Sequence, residues 1–67
     1  MIIGEKIKMI REGKKISQYK LSKESHISQS YLNEIESGKY NNPSAILLNR
    51  ISKALGVPIS ELLENVH

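Results

Sequence analysis

The stretch "HISQSYLNEIESGK", residues 26–39, decides how the rest of the chain is read. Its aliphatic residues are Ile27, Leu32 and Ile35, and on a wheel of about 100° per residue Leu32 and Ile35 fall on one side of a helix. Ser30, Asn33 and Ser37 lie opposite, with Gln29 and Glu34 flanking them. Surface helices usually carry Lys, Glu and Ala, which favour helix formation more than hydroxyls and amides do. A helix that displays Ser, Asn and Gln gives up propensity for groups that donate and accept hydrogen bonds from fixed positions. Base edges in the major groove of DNA present such donor and acceptor patterns, and a helix fits that groove. An ordinary polar surface is the plainer alternative.

The signals on either side extend the reading. Ser28 caps this helix and Gly38 ends it. Before it, Ser17 caps a helix running to about Glu24 that points Leu21 inward, and only "SHIS" separates the two. Residues 17–38 are therefore a helix-turn-helix candidate. Ile3, Ile7 and Ile10 repeat at helical spacing, which predicts a first helix from Ile3 to Glu12, stopped by Gly13 and followed by Lys14 and Lys15. "KYNNP", residues 39–43, reads as a loop. Ser44 then caps a fourth helix with Leu47, Leu48, Ile51, Ala54 and Leu55 on its buried face and Gly56 as its stop. Pro58 suits the first position of a short fifth helix holding Ile59, Leu62 and Leu63. Five short helices, no strand and short connections predict a compact all-α fold, with residues 1–67 as a single domain.

Composition narrows the function. The chain has no cysteine and only His26 and His67 as histidines, too few ligands for a zinc site, so no metal or cofactor is expected. A chain of 67 residues is marginal alone, so helix packing, with help from dimerisation, must stabilise it. The longest apolar run is Ala45–Leu48, far short of the ~20 residues of a membrane span. The start "MIIGEKIK" has no signal-peptide apolar segment, and a cytoplasmic location follows as an expectation. Net charge is +3 and unevenly spread. Residues 1–23 hold seven lysines and arginines against two glutamates, net +5, whereas residues 24–67 hold three against five, net −2. A basic half points to nucleic acid or an acidic membrane surface, and equally describes a solvated lysine face.

With those elements in place, "SQYKLSKESHISQSYLNEIESGK" resembles the lambda-repressor-like helix-turn-helix family, the Cro/cI or XRE type. The matching positions are Gln18 opening the second helix, Leu21 within it, small Ser22 at the helix crossing, Ile27 after the turn, Leu32 and Ile35 beneath the third helix, and "IESGK". "NPSAILLNRISKALGVPISELL" resembles the family's fourth and fifth helices, so the likeness spans roughly residues 3–64. "SYLNEIE" and "NNPS" also resemble the DNA-binding half of SinR-type regulators. Two positions depart from the pattern. The turn usually carries a left-handed Gly, here His26, and the residue before it is usually apolar, here Ser25. Histidine tolerates positive φ better than most residues.

The resemblance implies a sequence-specific double-stranded DNA-binding protein, bacterial or phage-encoded. It would act as a transcriptional regulator, with repression the expected mode, placing helix 28–37 in the major groove of an operator. It implies that Gln29, Ser30, Asn33 and Glu34 read bases. Gln18, Lys20, Tyr31, Ser37, Lys39 and Tyr40 would face the DNA backbone, with Gln18 also bracing the reading residues and Tyr31 either meeting a phosphate or simply packing. It pairs Arg11 with Glu36 as an ion pair that sets the angle of the third helix. Apolar groups beyond the needs of a short last helix suggest a homodimer through Ile46, Pro58, Ile59, Leu62 and Val66, and with no sensing domain in the sequence the expectation is control by a partner protein or by proteolysis, or a chain that is one domain of a longer protein. The rival expectation is a small protein-interaction module, antitoxin-like or an anti-regulator, supported by the acidic Glu34 and Glu36. Catalysis is not expected, because there is no cysteine nucleophile, no Ser-His-Asp spacing and no metal cluster. "SGK" also lacks the earlier Gly and the following Ser or Thr of a phosphate loop.

Overall fold

Each of the first four helices ends on a left-handed residue, and these four turns shape the molecule. The computed structural model describes residues 2–66, and His67 lies outside them. Among these residues it holds α1 (Ile3–Gly13), α2 (Gln18–Glu24), α3 (Gln29–Glu36), α4 (Ala45–Leu55) and α5 (Ile59–Leu63), with no strand. The fold is the all-α five-helix arrangement expected from the sequence.

The N-termini follow the sequence closely. Ser17, Ser28 and Ser44 are extended, and each hydroxyl accepts from a backbone N–H three residues on, at 3.0 Å from Lys20, 3.0 Å from Tyr31 and 3.1 Å from Leu47. Each satisfies one of the donors a helix start leaves unpaired. Pro58 is the cap residue of α5 and not its first helical position.

The C-termini need correction at one point. Gly13 does not stop α1 but is its last helical residue, and Lys15 makes the left-handed turn at φ 59°. Ile16 N–H then reaches back to the Arg11 carbonyl at 3.1 Å. His26 does the same after α2, at φ 61°, and Ile27 N–H returns to the Ser22 carbonyl at 3.0 Å. Gly38 and Gly56 end α3 and α4 at φ 86° and 74°. In this type of cap the apolar residue after the left-handed one folds back on the helix. Ile16, Ile27 and Val57 occupy that place and pack against the core.

The core consists of Ile3, Ile7, Leu21, Leu32, Ile35, Leu47, Ile51, Leu55 and Leu62. α1 packs on α3 and α5, while α4 packs on α2 and α5. Leu48 and Ala54, expected on the buried face of α4, are only partly buried. Gly4 lets α1 lie directly on the backbone of α3. A Cβ at Gly4 would overlap the Ile35 carbonyl oxygen, and would stand 2.8 Å from the Ile35 carbonyl carbon and 3.3 Å from Glu36 Cα. Ser25, where an apolar residue was the pattern, is fully buried and its hydroxyl has no partner among the described residues.

Candidate nucleic-acid interface

α3 is fixed from below and open above. Leu32 and Ile35 are fully buried, while Gln29, Ser30 and Asn33 are exposed on the other side. Gln29 and Ser30 make no side-chain hydrogen bond among the described residues, so their donors and acceptors face solvent. Glu34 is half-buried at the margin of this face.

An ion pair ties α3 to α1. Arg11 Nε donates to Glu36 Oε2 at 2.8 Å and Nη2 donates to Oε1 at 3.0 Å, a two-pronged contact. Arg11 Nη1 also donates to the Ile16 carbonyl at 2.8 Å, so one guanidinium joins the end of α1, the following turn and α3. The Arg11 and Glu36 side chains are only 10% and 2% exposed. Hydrogen bonding to Glu36 pushes the guanidinium above its ordinary value, outweighing the opposing effect of burial. Glu36 is thus not displayed on the surface. That removes the acidic pair from the face of α3 and with it the feature that favoured a protein-interaction module.

Gln18 joins this network from α2. Its Nε2 lies 3.2 Å from Glu36 Oε1 and 3.3 Å from Asn33 Oδ1. The remaining residues gather at the end of α3. Lys39 Nζ stands 3.6 Å from Glu34 Oε2, with Lys39 exposed and Glu34 half-buried at the surface, a contact that solvent screens to little net energy. The Tyr31 and Tyr40 rings meet edge to face at 5.3 Å between centroids, and Tyr40 N–H donates to the Glu34 carbonyl at 3.0 Å. Hydrogen bonding with Tyr40, then desolvation, raises the Tyr31 phenol above its ordinary range. The Ser37 hydroxyl donates to the Glu34 carbonyl at 3.1 Å, so its proton serves the end of its own helix. Lys20 is exposed on α2. The structure therefore brings Arg11, Gln18, Asn33 and Glu36 into one network and Tyr31, Glu34, Lys39 and Tyr40 into one cluster.

The surface proposed for pairing needs revision. Leu62 is fully buried in the core, because α5 is short and seats its one inward side chain against α1 and α4. It cannot meet a second copy. Val66 and Ile59 are half-buried, with Val66 packed on the core. Ile46 and Leu63 remain outward, 73% and 49% exposed, and Pro58 is exposed. Sequence reasoning missed the close approach at Gly4, although a glycine inside a helical pattern often marks tight packing. It also missed the Glu34–Lys39 contact, which a five-residue spacing across a helix end does not signal. Among the described residues, no group of three or more His, Cys, Asp or Glu could hold a metal ion, and no helix is long and apolar enough to cross a membrane.

Comparison with known proteins places this arrangement. Residues 7–62 match the profile of the family described as Helix-turn-helix. The chain is 38% identical over 63 residues to the immunity repressor protein of Bacillus phage phi105, covering 94% of this chain and 43% of that protein. It is 38% identical over 65 residues to control protein C.BamHI of Bacillus amyloliquefaciens, covering 96% and 79%. It superposes with a TM-score of 0.87 and 35% identity on the crystal structure of SinR, master regulator for biofilm formation, in complex with DNA, covering 94% of this chain and all of that one. The chain thus spans less than half of the phage repressor it resembles.

Proposed function

The chain belongs to the helix-turn-helix family, of the lambda-repressor-like, XRE type, and from that premise we propose that it is the sequence-specific DNA-binding domain of a transcriptional repressor. α3 enters the major groove of double-stranded DNA, with Gln29, Ser30, Asn33 and Glu34 toward the bases. Lys20, Tyr31, Lys39 and Tyr40 flank them toward the phosphates, together with Gln18 and Ser37. The observation that carries this reading is the contrast between the two sides of α3. One side is locked by core packing and a buried two-pronged ion pair, and the other offers the Gln29 amide and the Ser30 hydroxyl, which make no hydrogen bond among the described residues. A rigid helix with unspent donors and acceptors suits direct readout, in which geometry must be fixed before contact.

The domain binds as a homodimer. Its longest dimension is 26 Å, whereas half-sites on one face of DNA lie about 34 Å apart, so two copies are needed to occupy both. Ile46, Leu63 and Pro58 are exposed apolar groups at the α4 and α5 end of the domain that join them, with Ile59 at their margin. The activity is binding and not catalysis, and it belongs in the cytoplasm beside the chromosome.

Selection of bound sequences from random double-stranded DNA tests the proposal. The expected result is a two-fold symmetric consensus bound by two copies. Gln29→Ala should then relax the preference at one base pair per half-site and cost about 1–3 kcal/mol on the selected site. Failure to enrich any sequence, with binding equal on all DNA, overturns the reading.

A further inference from the structure

α2 is held to the fold by little. Ile16 and Ile27 pack on the core just before and just after it, and between them Leu21 is the only aliphatic side chain. α1, α3 and α4 each put two or more aliphatic side chains into the core. α2 has seven residues, and a helix shorter than about 12–15 residues does not persist in water without support. Besides Leu21 it buries only Ser22 and, at its C-cap, Ser25. The Ser22 hydroxyl donates to the Tyr19 carbonyl at 2.7 Å, within its own helix. The fully buried Ser25 hydroxyl has no partner among the described residues, and a buried hydroxyl left unpaired weakens the state that buries it. The turns on both sides are strained, because Lys15 at φ 59° and His26 at φ 61° are left-handed without being glycine.

The other four helices are joined without α2. The Arg11–Glu36 pair and the close approach at Gly4 tie α1 to α3, and α5 packs on both α1 and α4. We propose that α2 is a strap: residues 17–26 leave and return as one unit while α1, α3, α4 and α5 stay folded, and DNA holds the strap closed. The part played by DNA rests on the DNA-binding reading above, in which Gln18 and Lys20 of α2 face the phosphates. Only the closed strap sets Gln18 against Asn33 and leads into Ser28, the cap of α3, from a formed turn. DNA that meets both helices binds the closed form better and draws the population to it.

Native-state amide hydrogen exchange of the full chain tests the strap. Leu21 N–H donates to the Ser17 carbonyl at 3.0 Å and Ser25 N–H to the Leu21 carbonyl at 2.9 Å, so both ends of α2 are reported by its own amides. Without DNA the amides from Leu21 to Ser25 should share one protection factor, at least about tenfold below those of Ile51 and Leu55 in α4. Dilute urea should barely change it, because little surface opens. Ser25→Ala removes the unpaired hydroxyl and should slow all of these amides by about tenfold. His26→Gly relieves one strained turn and should slow them by about fivefold. Equal protection of α2 and α4 in the parent overturns the proposal, since the domain then opens only as a whole. Slowing confined to the residues beside Ser25 overturns it too, because that is fraying of one end and not the movement of a unit. Saturation with a duplex selected by the domain should slow exchange in α2 by about tenfold or more. Unchanged exchange on bound DNA overturns the closure by DNA. If no sequence is selected, the DNA reading fails, and exchange in the unbound chain still decides whether α2 opens alone.

Discussion

Gly4→Ala adds one methyl group and should remove a sizeable part of the domain's stability. Gly4 lies in the first turn of α1, directly on the backbone of α3. The new Cβ would overlap the Ile35 carbonyl oxygen and sit 2.8 Å from the carbonyl carbon, well inside the 3.4 Å where ordinary contact begins. Both obstacles are backbone, so no rotamer change relieves them and α1 must move away from α3. That movement loosens Ile3 and Ile7 in the core and strains the Arg11–Glu36 pair along the same interface. Overpacking costs about 1–3 kcal/mol, and a clash with backbone belongs at the upper end or beyond. Alanine returns at most about 1 kcal/mol in helix propensity. The net loss is about 2 kcal/mol, out of a total of only about 3–10 kcal/mol for a domain of this size. At about 4–8 °C per kcal/mol, the melting temperature should fall by roughly 10 °C or more. Gly13→Ala is the matched control, in the same helix, where a Cβ meets nothing within 4 Å and φ is not positive. It should raise stability by about 0.5–1 kcal/mol. Thermal and urea melts followed by circular dichroism read both. Equal melting of Gly4→Ala and the parent, or loss of stability in Gly13→Ala, would refute the close approach of α1 to α3.

Arg11→Ala leaves Glu36 buried with Gln18 as its remaining partner, and should cost about 3 kcal/mol, the low end for breaking a buried pair. Melting measures it, and a parent-like melt would mean the pair contributes nothing. His26→Gly removes a side chain from a left-handed position and should add about 1 kcal/mol, visible as a higher urea midpoint with an unchanged slope. An unchanged or lower midpoint would show that the turn carries no strain. Lys39→Ala should weaken binding to selected and unselected DNA alike and flatten the salt dependence by about one counterion, since Lys39 is exposed beside the end of α3 and its contact with Glu34 is weak. A titration across a salt series with unchanged slope would take Lys39 off the phosphate backbone.

Features that depend only on neighbours along the chain were legible from the residues alone. Ser17, Ser28 and Ser44 cap helices because a hydroxyl reaches N–H groups three residues on whatever the rest of the fold does. Isoleucine and leucine at helical spacing marked the inward faces of α1, α3 and α4, and the same wheel left Gln29, Ser30 and Asn33 outside. Tertiary structure decided what depends on contacts between distant segments. Leu62 and Leu63 look equivalent in sequence, but α5 has only one inward direction, so one is fully buried and the other is 49% exposed. Glu34 and Glu36 are two residues apart, which on a helix places them on different sides. Only Arg11 arriving from α1 makes Glu36 the buried partner and leaves Glu34 to Lys39. Gly13 and Lys15 compete locally to end α1, and the outcome follows from where Ile16 must go to reach the core. The link from Arg11 through Glu36 and Gln18 to Asn33 is furthest from neighbours along the chain, because it joins side chains on three helices.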